Sequence, residues 1–361
     1  MTAHRATVRL RAVFRFWLVM PAVLVAAGLA AGPAQPASAD PATCRPLQVP
    51  APHAGVGDAS VFGVLCLPAP SAQPPTVQLL VHGGTYNHQY WDWPIRPERY
   101  SYVRWALAAG YAVMNVDRLG YGRSTHPPSA LVSLENGAAA LHDVITSLRS
   151  GELAGFPFAN VVYVGHSVGS IVGWVEASTY RDVSAFVATG MTHHLKRSAI
   201  AAISQAFYPA RFDPAFRRAD LDPGYLTTKP GTRNGLFFTP QYSESDVVAY
   251  DEKTKDTLAE TEAAESLSLI LSPPPEAAPS RAIAAPTLVV IGAADIPFCG
   301  PPDGADCHDP AAIRAAEAPY YGPEAKLEVV SIPENGHNLQ LHRSAPVAAE
   351  RVLEWIRQTL A

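Results

Sequence analysis

The chain has 361 residues, of which 48% are hydrophobic and 16% charged, and its formal net charge is −5. This composition is typical of a globular protein and excludes a largely disordered chain. A mildly acidic protein lacks the basic surface that binds phosphate backbones, so we expect no nucleic-acid partner.

The first 39 residues have the pattern of a secretory signal peptide. Arginines precede an apolar stretch at residues 16–31, and Ala37-Ser38-Ala39 has the A-x-A pattern of a cleavage site. The alternative, a membrane anchor, needs about twenty apolar residues, which is more than this stretch provides. We therefore expect cleavage after Ala39, a secreted protein, and no stable membrane insertion once the signal is removed. The sequence does not indicate an oligomeric state.

The chain has four cysteines, and all of them follow the predicted signal peptide. They are Cys44, Cys66, Cys299 and Cys307. An even number in an exported protein favours two disulfides over metal ligands. Of the three possible pairings, we favour the local one, Cys44 with Cys66 and Cys299 with Cys307, because it constrains the chain least. No C-x-x-C or H-x-x-x-H spacing accompanies the cysteines, so we expect no metal site.

Short apolar runs alternate with helix-length segments along most of the remaining chain. A Pro- and Ala-rich start leads into a predicted edge strand at residues 60–67. The predicted buried strands are residues 77–81, 112–116, 161–164, 185–188, 287–291 and 327–332. The predicted helices are residues 102–109, 137–150, 171–180 and 345–360. This alternation predicts an α/β fold, with a mostly parallel central sheet and helices on both faces.

One long segment, residues 191–285, interrupts this alternation. It lacks a comparable strand run, and its helical candidates are residues 199–207 and 245–271. We interpret it as a mainly helical cap, or lid, inserted between two parts of the core, residues 40–190 and 286–361. Its many aromatic residues predict an apolar pocket.

The sequence Gly165-His166-Ser167-Val168-Gly169 stands between a predicted strand and a predicted helix. A G-x-S-x-G pattern in this context is typical of a nucleophile elbow, because small residues flanking the serine let the strand and the helix approach each other. The turn exposes the serine Oγ. The amide of Val168 would then lie at the helix N-terminus, where a developing oxyanion is stabilised.

With this motif the chain resembles the α/β-hydrolase family, from about residue 60 to the C-terminus. His82-Gly83-Gly84 is similar to the family's oxyanion loop, which implies Gly84 as the second amide donor. Asp295 and His337 follow the last two predicted strands, where the family places its acid and its histidine. The resemblance thus implies a triad of Ser167, Asp295 and His337, in the chain order expected of this fold.

Other candidates for the acid stand in the same loop, at Asp303, Asp306 and Asp309. Some branches of the family supply the acid one strand earlier. At that position this chain has residues 189–192, which include no carboxylate. This favours Asp295.

The resemblance implies a serine hydrolase that cleaves carboxylic esters of hydrophobic small molecules through an acyl-enzyme, with no metal or organic cofactor. The same triad also serves acyl transfer, lactone or amide hydrolysis, and perhydrolysis. A non-catalytic binding protein on the same fold is a more distant alternative. Our candidates for the substrate pocket are His82, Tyr86, Trp91, His166 and His193.

Overall fold

The computed structural model describes residues 42–69, 75–217, 219–271 and 274–361, so the predicted signal peptide lies outside the described residues. The strands in chain order are β1 (Thr43–Pro50), β2 (Ser60–Leu67), β3 (Thr76–Val81), β4 (Ala112–Val116), β5 (Asn160–His166), β6 (Ala185–Thr189), β7 (Phe207–Pro209), β8 (Tyr225–Thr228), β9 (Leu258–Ala259), β10 (Thr287–Gly292) and β11 (Glu328–Ile332). The α-helices are α1 (Pro97–Tyr100), α2 (Tyr102–Ala108), α3 (Leu134–Ser150), α4 (Val168–Thr179), α5 (Arg197–Ala206), α6 (Arg233–Leu236), α7 (Ser245–Lys253), α8 (Glu260–Leu271), α9 (Pro310–Glu317) and α10 (Ala345–Thr359).

The central sheet has eight strands within the described residues, in the order β1-β2-β4-β3-β5-β6-β10-β11. The pairings of β1 with β2 and of β2 with β4 are antiparallel, and the pairings from β4 to β11 are parallel. Every residue of β3, β4, β6 and β10 is buried, as expected for parallel strands covered on both faces. The predicted fold class is confirmed.

Helices cover the two faces of the sheet with separate apolar clusters. Because side chains alternate along a strand, Leu79 packs into the cluster that includes α3, α4 and α9, whereas Leu80 packs into the cluster that includes α2 and α10. None of the helices in the described residues is long and apolar enough to cross a membrane.

The first strand was not predicted as a strand. β1 is mostly exposed and contains Pro46 and Pro50, so it lacks the buried pattern that marks a strand in sequence. It pairs along its whole length with β2, which places Cys44 opposite Cys66. The sulfur atoms of these two residues lie 2.03 Å apart, and those of Cys299 and Cys307 lie 2.01 Å apart. Both pairs are therefore at disulfide distance.

The segment at residues 191–285 contains α5, α6, α7 and α8, and also a three-stranded antiparallel sheet in the order β7-β8-β9. These strands are two to four residues long, too short to produce a periodic pattern in the sequence. The helix expected over residues 245–271 is two helices, α7 and α8, separated by β9. The division into a core and a cap stays a prediction.

Candidate active site

Ser167 lies in a sharp turn between β5 and α4. Its backbone has φ 52° and ψ −123°, a conformation that side-chain-bearing residues rarely adopt. A Cβ atom on Gly165 would lie 2.8 Å from the backbone oxygen of Gly169, and a Cβ on Gly169 would lie 2.6 Å from the backbone oxygen of Val81. Both distances are far inside normal contact, so the two glycines let the helix approach the sheet closely enough to form this turn.

His337 lies between Ser167 and Asp295. Its Nε2 is 3.0 Å from the Oγ of Ser167, and its Nδ1 is 3.0 Å from the Oδ2 of Asp295. A carboxylate can only accept a hydrogen bond, so Nδ1 carries the proton and Nε2 is left to accept the proton of the serine hydroxyl. The three residues follow β5, β10 and β11, whose carboxyl ends meet at one edge of the sheet.

Asp295 is fully buried, and burial raises its pKa although the neighbouring His337 opposes this shift. Its backbone oxygen accepts the amide protons of Phe298 and Cys299, which fixes the start of the loop. The pair Cys299–Cys307 lies in the same loop.

The other carboxylates of this loop are exposed and bond elsewhere. Asp303 accepts hydrogen bonds from Ser198, Asp306 accepts the amide of His308, and Asp309 accepts the amide of Ala311 at the start of α9. Of the four aspartates in this loop, Asp295 is therefore the one that contacts His337.

The loop after β3 brings Gly84 next to Ser167 and Val168, and all three line the same cavity. Val168 is the first residue of α4, and the amide at that position of a helix has no acceptor within the helix. The carbonyl of Gly83 accepts hydrogen bonds from the Nδ1 of His82, at 2.8 Å, and from Arg118, at 3.4 Å. Because the N–H and C=O of a trans peptide point in opposite directions, these bonds turn the amide of Gly84 away from His82.

His82 has a positioning function in this loop. Its Nε2 accepts the backbone N–H of Arg118 at 3.0 Å, so its Nδ1 carries the proton that is donated to Gly83. Burial, and secondarily the charge of Arg118, lower the pKa of His82 to about 3. The ring is therefore neutral and keeps this pattern of one donor and one acceptor.

A cavity of about 370 Å³ opens beside Ser167 and His337. Its lining is mostly apolar, and its polar members besides the two site residues are Ser204, Glu260 and Ser266. The segment at residues 191–285 supplies most of the apolar wall: Met191, Leu195, Ile200, Ile203, Phe207, Leu226, Phe237, Leu258, Ala263, Ala264, Leu267 and Ile270. Residues from outside that segment complete it: Gly84, Val168, Ile171, Pro297 and Phe298.

The structure corrects the expected substrate pocket. His82, Tyr86, Trp91, His166 and His193 are at most 5% exposed, and none of them lines this cavity. Four of them were chosen because they stand near the loop after β3 or the turn at Ser167 in the sequence, and His193 because it follows β6 at the entry to the segment at residues 191–285. Their side chains point into the protein instead, which a sequence pattern at a loop does not reveal.

Three of these five residues, Tyr86, Trp91 and His166, pack next to the site without lining the cavity. The ring of His166 stacks on Tyr90 with ring centres 4.3 Å apart, and burial lowers its pKa well below the usual value. The hydroxyl of Tyr86 accepts a hydrogen bond from Asn338, the residue after His337. The ring of Trp91 packs edge-on against Tyr90.

His193 lies apart from the cavity. Its Nδ1 is 2.8 Å from Glu317, and its ring stacks between Trp174 and Tyr320 with centres 4.0 and 4.2 Å away.

The sequence predicted an apolar pocket, but it did not identify the residues of α5 and α8 that line the cavity. Ile200 and Ile203 on α5, and Leu267 and Ile270 on α8, are each spaced by three residues and so share a helix face. That spacing is visible in the sequence, but it does not indicate what the face covers.

Two buried ion pairs join the segment at residues 191–285 to the loop after β3. Arg118 pairs with Glu262 of α8, and its Nε donates to the carbonyl of His82 at 2.9 Å. Arg233 pairs with Asp251 of α7 and donates to the Oγ1 of Thr85 at 2.7 Å. The loop that carries Gly84 is therefore held from the side of the insertion as well as from the sheet.

The family model described as the alpha/beta hydrolase family matches residues 78–350. The chain belongs to this family. The match spans the loop after β3, Ser167, the segment at residues 191–285, Asp295 and His337. No curated protein matches the sequence at a significant level.

Solved structures of other α/β hydrolases share this architecture. An esterase from Thermogutta terrifontis is 19% identical, with a TM-score of 0.57 over 87% of this chain and 99% of that one. The enol-lactonase from Burkholderia xenovorans LB400 is 15% identical, with a TM-score of 0.55 over 84% of this chain and 98% of that one. The 2-hydroxy-6-oxo-6-phenylhexa-2,4-dienoate hydrolase from Rhodococcus sp. strain RHA1 is 15% identical, with a TM-score of 0.55 over 88% of this chain and 100% of that one. At these identities the likeness is one of fold.

Proposed function

We propose that this protein is a serine hydrolase that cleaves carboxylic esters with a hydrophobic acyl group. The observation that carries the proposal is the 3.0 Å contact between Ser167 Oγ and His337 Nε2 beside a mostly apolar cavity. A serine hydroxyl is a weak nucleophile until a base within hydrogen-bond reach accepts its proton.

In the proposed reaction, His337 accepts the proton of Ser167 as Oγ attacks the ester carbonyl, and it then donates that proton to the leaving alcohol. A water molecule attacks the acyl-enzyme, and His337 accepts one of its protons. That proton returns to Ser167 Oγ as the carboxylic acid leaves. Asp295 holds the imidazole tautomer and stabilises the imidazolium that forms in each half-reaction.

The negative charge that develops on the carbonyl oxygen requires hydrogen-bond donors. We assign this function to the amides of Gly84 and Val168, and each such donor contributes about 3 kcal/mol to the transition state. The bonds from His82 and Arg118 to Gly83 support the assignment because they fix the direction of the Gly84 amide before substrate binds.

The substrate class follows from the lining of the cavity. Among the described lining residues there is no Lys or Arg to pair with a phosphate or a carboxylate, and Glu260 disfavours an anion. A space of about 370 Å³ with an apolar wall fits a neutral acyl chain or ring of moderate size.

We also propose that the mature protein is secreted. Two cysteine pairs at disulfide distance are typical of proteins in an oxidising compartment. N-terminal sequencing of the protein from the culture medium of an expressing host tests this. The proposal predicts a first residue of Asp40, and retention of the whole protein inside the cells would contradict it.

Ester hydrolysis is tested with a series of p-nitrophenyl esters from acetate to long acyl chains. We expect wild type to turn over with an optimum at medium chain length, and Ser167→Ala to lose about 10⁴-fold or more in kcat. Ser178→Ala is the matched control: it changes another serine of the α4 region, whose Oγ bonds to the backbone of Val175, and it should retain full activity.

A series without turnover in wild type would contradict the ester proposal. Parallel assays with lactones, amides and alcohol acceptors would then show whether the same residues serve another acyl-transfer reaction.

A further inference from the structure

A second cluster of ligand-type side chains lies at the end of α4 remote from Ser167. It consists of His142 on α3, Glu176 near the end of α4, and Asp182 in the turn before β6. One donor atom from each residue lies within 4.8 Å of the other two. The Nδ1 of His142 is 2.6 Å from the Oδ2 of Asp182.

Glu176 is the feature that requires explanation. The residue is fully buried, and among the described residues no nitrogen or hydroxyl group donates to its carboxylate oxygens; the group that approaches them is the carboxyl of Asp182. The Oδ1 of Asp182 is buried and equally unpartnered in that part of the chain. Buried carboxylate oxygens are strongly destabilising unless a donor or a cation compensates them.

Arg149 acts on Glu176 through its charge but makes no hydrogen bond to it. Arg149, on the same helix as His142, directs its Nε to the backbone oxygen of Asp182 at 2.8 Å. Its terminal nitrogens donate to the backbone oxygen of Ala159 and to the Oγ of Ser184. The guanidinium therefore bonds to backbone and hydroxyl groups, and the two carboxylates still face each other.

The third ligand is already oriented. The ring of His142 stacks on Tyr180, with ring centres 3.9 Å apart and an angle of 8° between the planes. This packing fixes the plane of the imidazole with Nδ1 directed at the carboxylates. The side chains of His142 and Asp182 are 28% and 18% exposed, which leaves a route from solvent.

We propose that His142, Glu176 and Asp182 form a binding site for one divalent transition-metal ion, with Zn²⁺ as the preferred occupant. One imidazole nitrogen and two carboxylate oxygens are a donor set suited to Zn²⁺, and a water molecule from the exposed side completes a tetrahedron. Ligand atoms about 2.1 Å from a zinc ion lie about 3.4 Å from one another in that geometry, so the side chains need only small shifts.

The proposed ion stabilises the fold and takes no part in the reaction. Glu176 is eight residues from the start of α4, which places it about 12 Å along the helix from the turn that holds Ser167. The ion would connect α3, α4 and the turn before β6. The three ligands are widely separated in sequence, which is why no motif revealed them.

Equilibrium dialysis of the metal-free mature protein with Zn²⁺ tests the site, with bound metal measured by mass spectrometry. We expect one equivalent bound to wild type, and a rise in Tm of at least about 3 °C when Zn²⁺ is at a hundredfold excess over its Kd. Glu176→Gln, Asp182→Asn and His142→Gln should each lose the bound equivalent and the rise in Tm.

The matched control is His53→Gln. The Nδ1 of His53 lies 2.5 Å from Asp143 of α3, and its side chain is 70% exposed. Its ring lies 6.5 Å from that of His142, but within the described residues it belongs to no group of three close ligand atoms. The control should bind zinc as wild type does. Since His142→Gln changes a partly exposed side chain, it tests the site even if a substitution at the buried Glu176 impairs folding.

Failure of wild type to bind Zn²⁺ above the level of a buffer blank would overturn the proposal. So would an equivalent of zinc that remains in all three ligand variants. Neither result bears on the ester proposal, because the site lies outside the cavity that holds Ser167.

Discussion

The two walls of the cavity beside Ser167 are built in different ways. The wall from the sheet carries the polar side chains of Ser167 and His337 among a few apolar residues, and its turns are fixed by backbone hydrogen bonds and by glycines that permit close approach. The wall from residues 191–285 consists mainly of apolar side chains on α5 and α8, tied to the oxyanion loop by buried ion pairs. Under the proposed function, the two walls place the reacting groups and the acyl-binding surface in separate parts of the chain.

The largest effect should come from the sheet wall, with Asp295→Asn. An amide holds the imidazole in the wrong tautomer and cannot stabilise the imidazolium, so we expect kcat to fall by about 10⁴-fold. The Tm should not fall, because burial raises the pKa of Asp295 and the ionised carboxylate is therefore costly to the folded state. Ester assays and thermal melts of both proteins check this, and a variant with near-normal kcat would contradict the assignment.

The same raised pKa sets a pH dependence. Asp295 must be ionised to act, and its pKa lies above that of an ordinary aspartate, so activity should be lost as the pH falls through that raised value. In Asp295→Asn this acidic loss, attributable to the carboxyl, should be absent from the residual activity. A pH profile identical in shape to that of wild type would contradict the prediction.

The next largest effect should be a loss of stability in Glu262→Gln, which breaks the buried ion pair between α8 and Arg118. Removing one charge of a buried pair leaves Arg118 uncompensated, which costs about 3–5 kcal/mol of the free energy of unfolding. The control is Glu244→Gln, because Glu244 also joins the insertion to the core, through Arg96, but at a partly exposed site. That variant should lose less than about 1 kcal/mol. Equal losses in thermal melts would show that the joint does not depend on the buried pair.

Removing each cysteine pair in turn tests whether the loop that holds Asp295 affects activity as well as stability. Replacing both Cys299 and Cys307 by serine should lower stability by about 2–3 kcal/mol and should also reduce kcat, because the loop holds Asp295. Replacing Cys44 and Cys66, which join β1 to β2 away from the cavity, should lower stability and leave kcat unchanged. Melting curves and ester kinetics of both double variants check this, and an unchanged kcat in the Cys299/Cys307 variant would contradict it.

The smallest effect should come from the apolar wall. Leu267→Trp fills part of the cavity, so the ratio of kcat/KM for long to short acyl esters should fall by about tenfold, with little change for the acetate ester. Ser268→Trp, at the adjacent exposed position of α8, should leave the ratio unaltered. An unchanged ratio in Leu267→Trp would mean that the acyl group binds elsewhere.

The sequence predicted the sheet wall better than the insertion wall for a physical reason. A nucleophile elbow depends on a few adjacent residues, and strands that end side by side bring Asp295 and His337 to the same edge as Ser167. These features are local, or follow from the strand order. The fold class and most strands could be read in the same way.

The remaining features depend on tertiary contacts. β1 owes its structure to pairing with β2, and β7, β8 and β9 are too short to carry a pattern. His82 and His166 were expected to face substrate, but they are buried behind the oxyanion loop and the elbow. Which face of α5 or α8 meets the cavity is decided by packing against the sheet.

The most direct test of the central claim is covalent labelling of the mature protein with a fluorophosphonate, followed by mass spectrometry of the digested protein. The account predicts one label per chain on the peptide that contains Ser167, with labelling slowed strongly in His337→Ala. Labelling at a different residue, or none in protein shown to be folded, would contradict the claim that Ser167 is a nucleophile activated by His337.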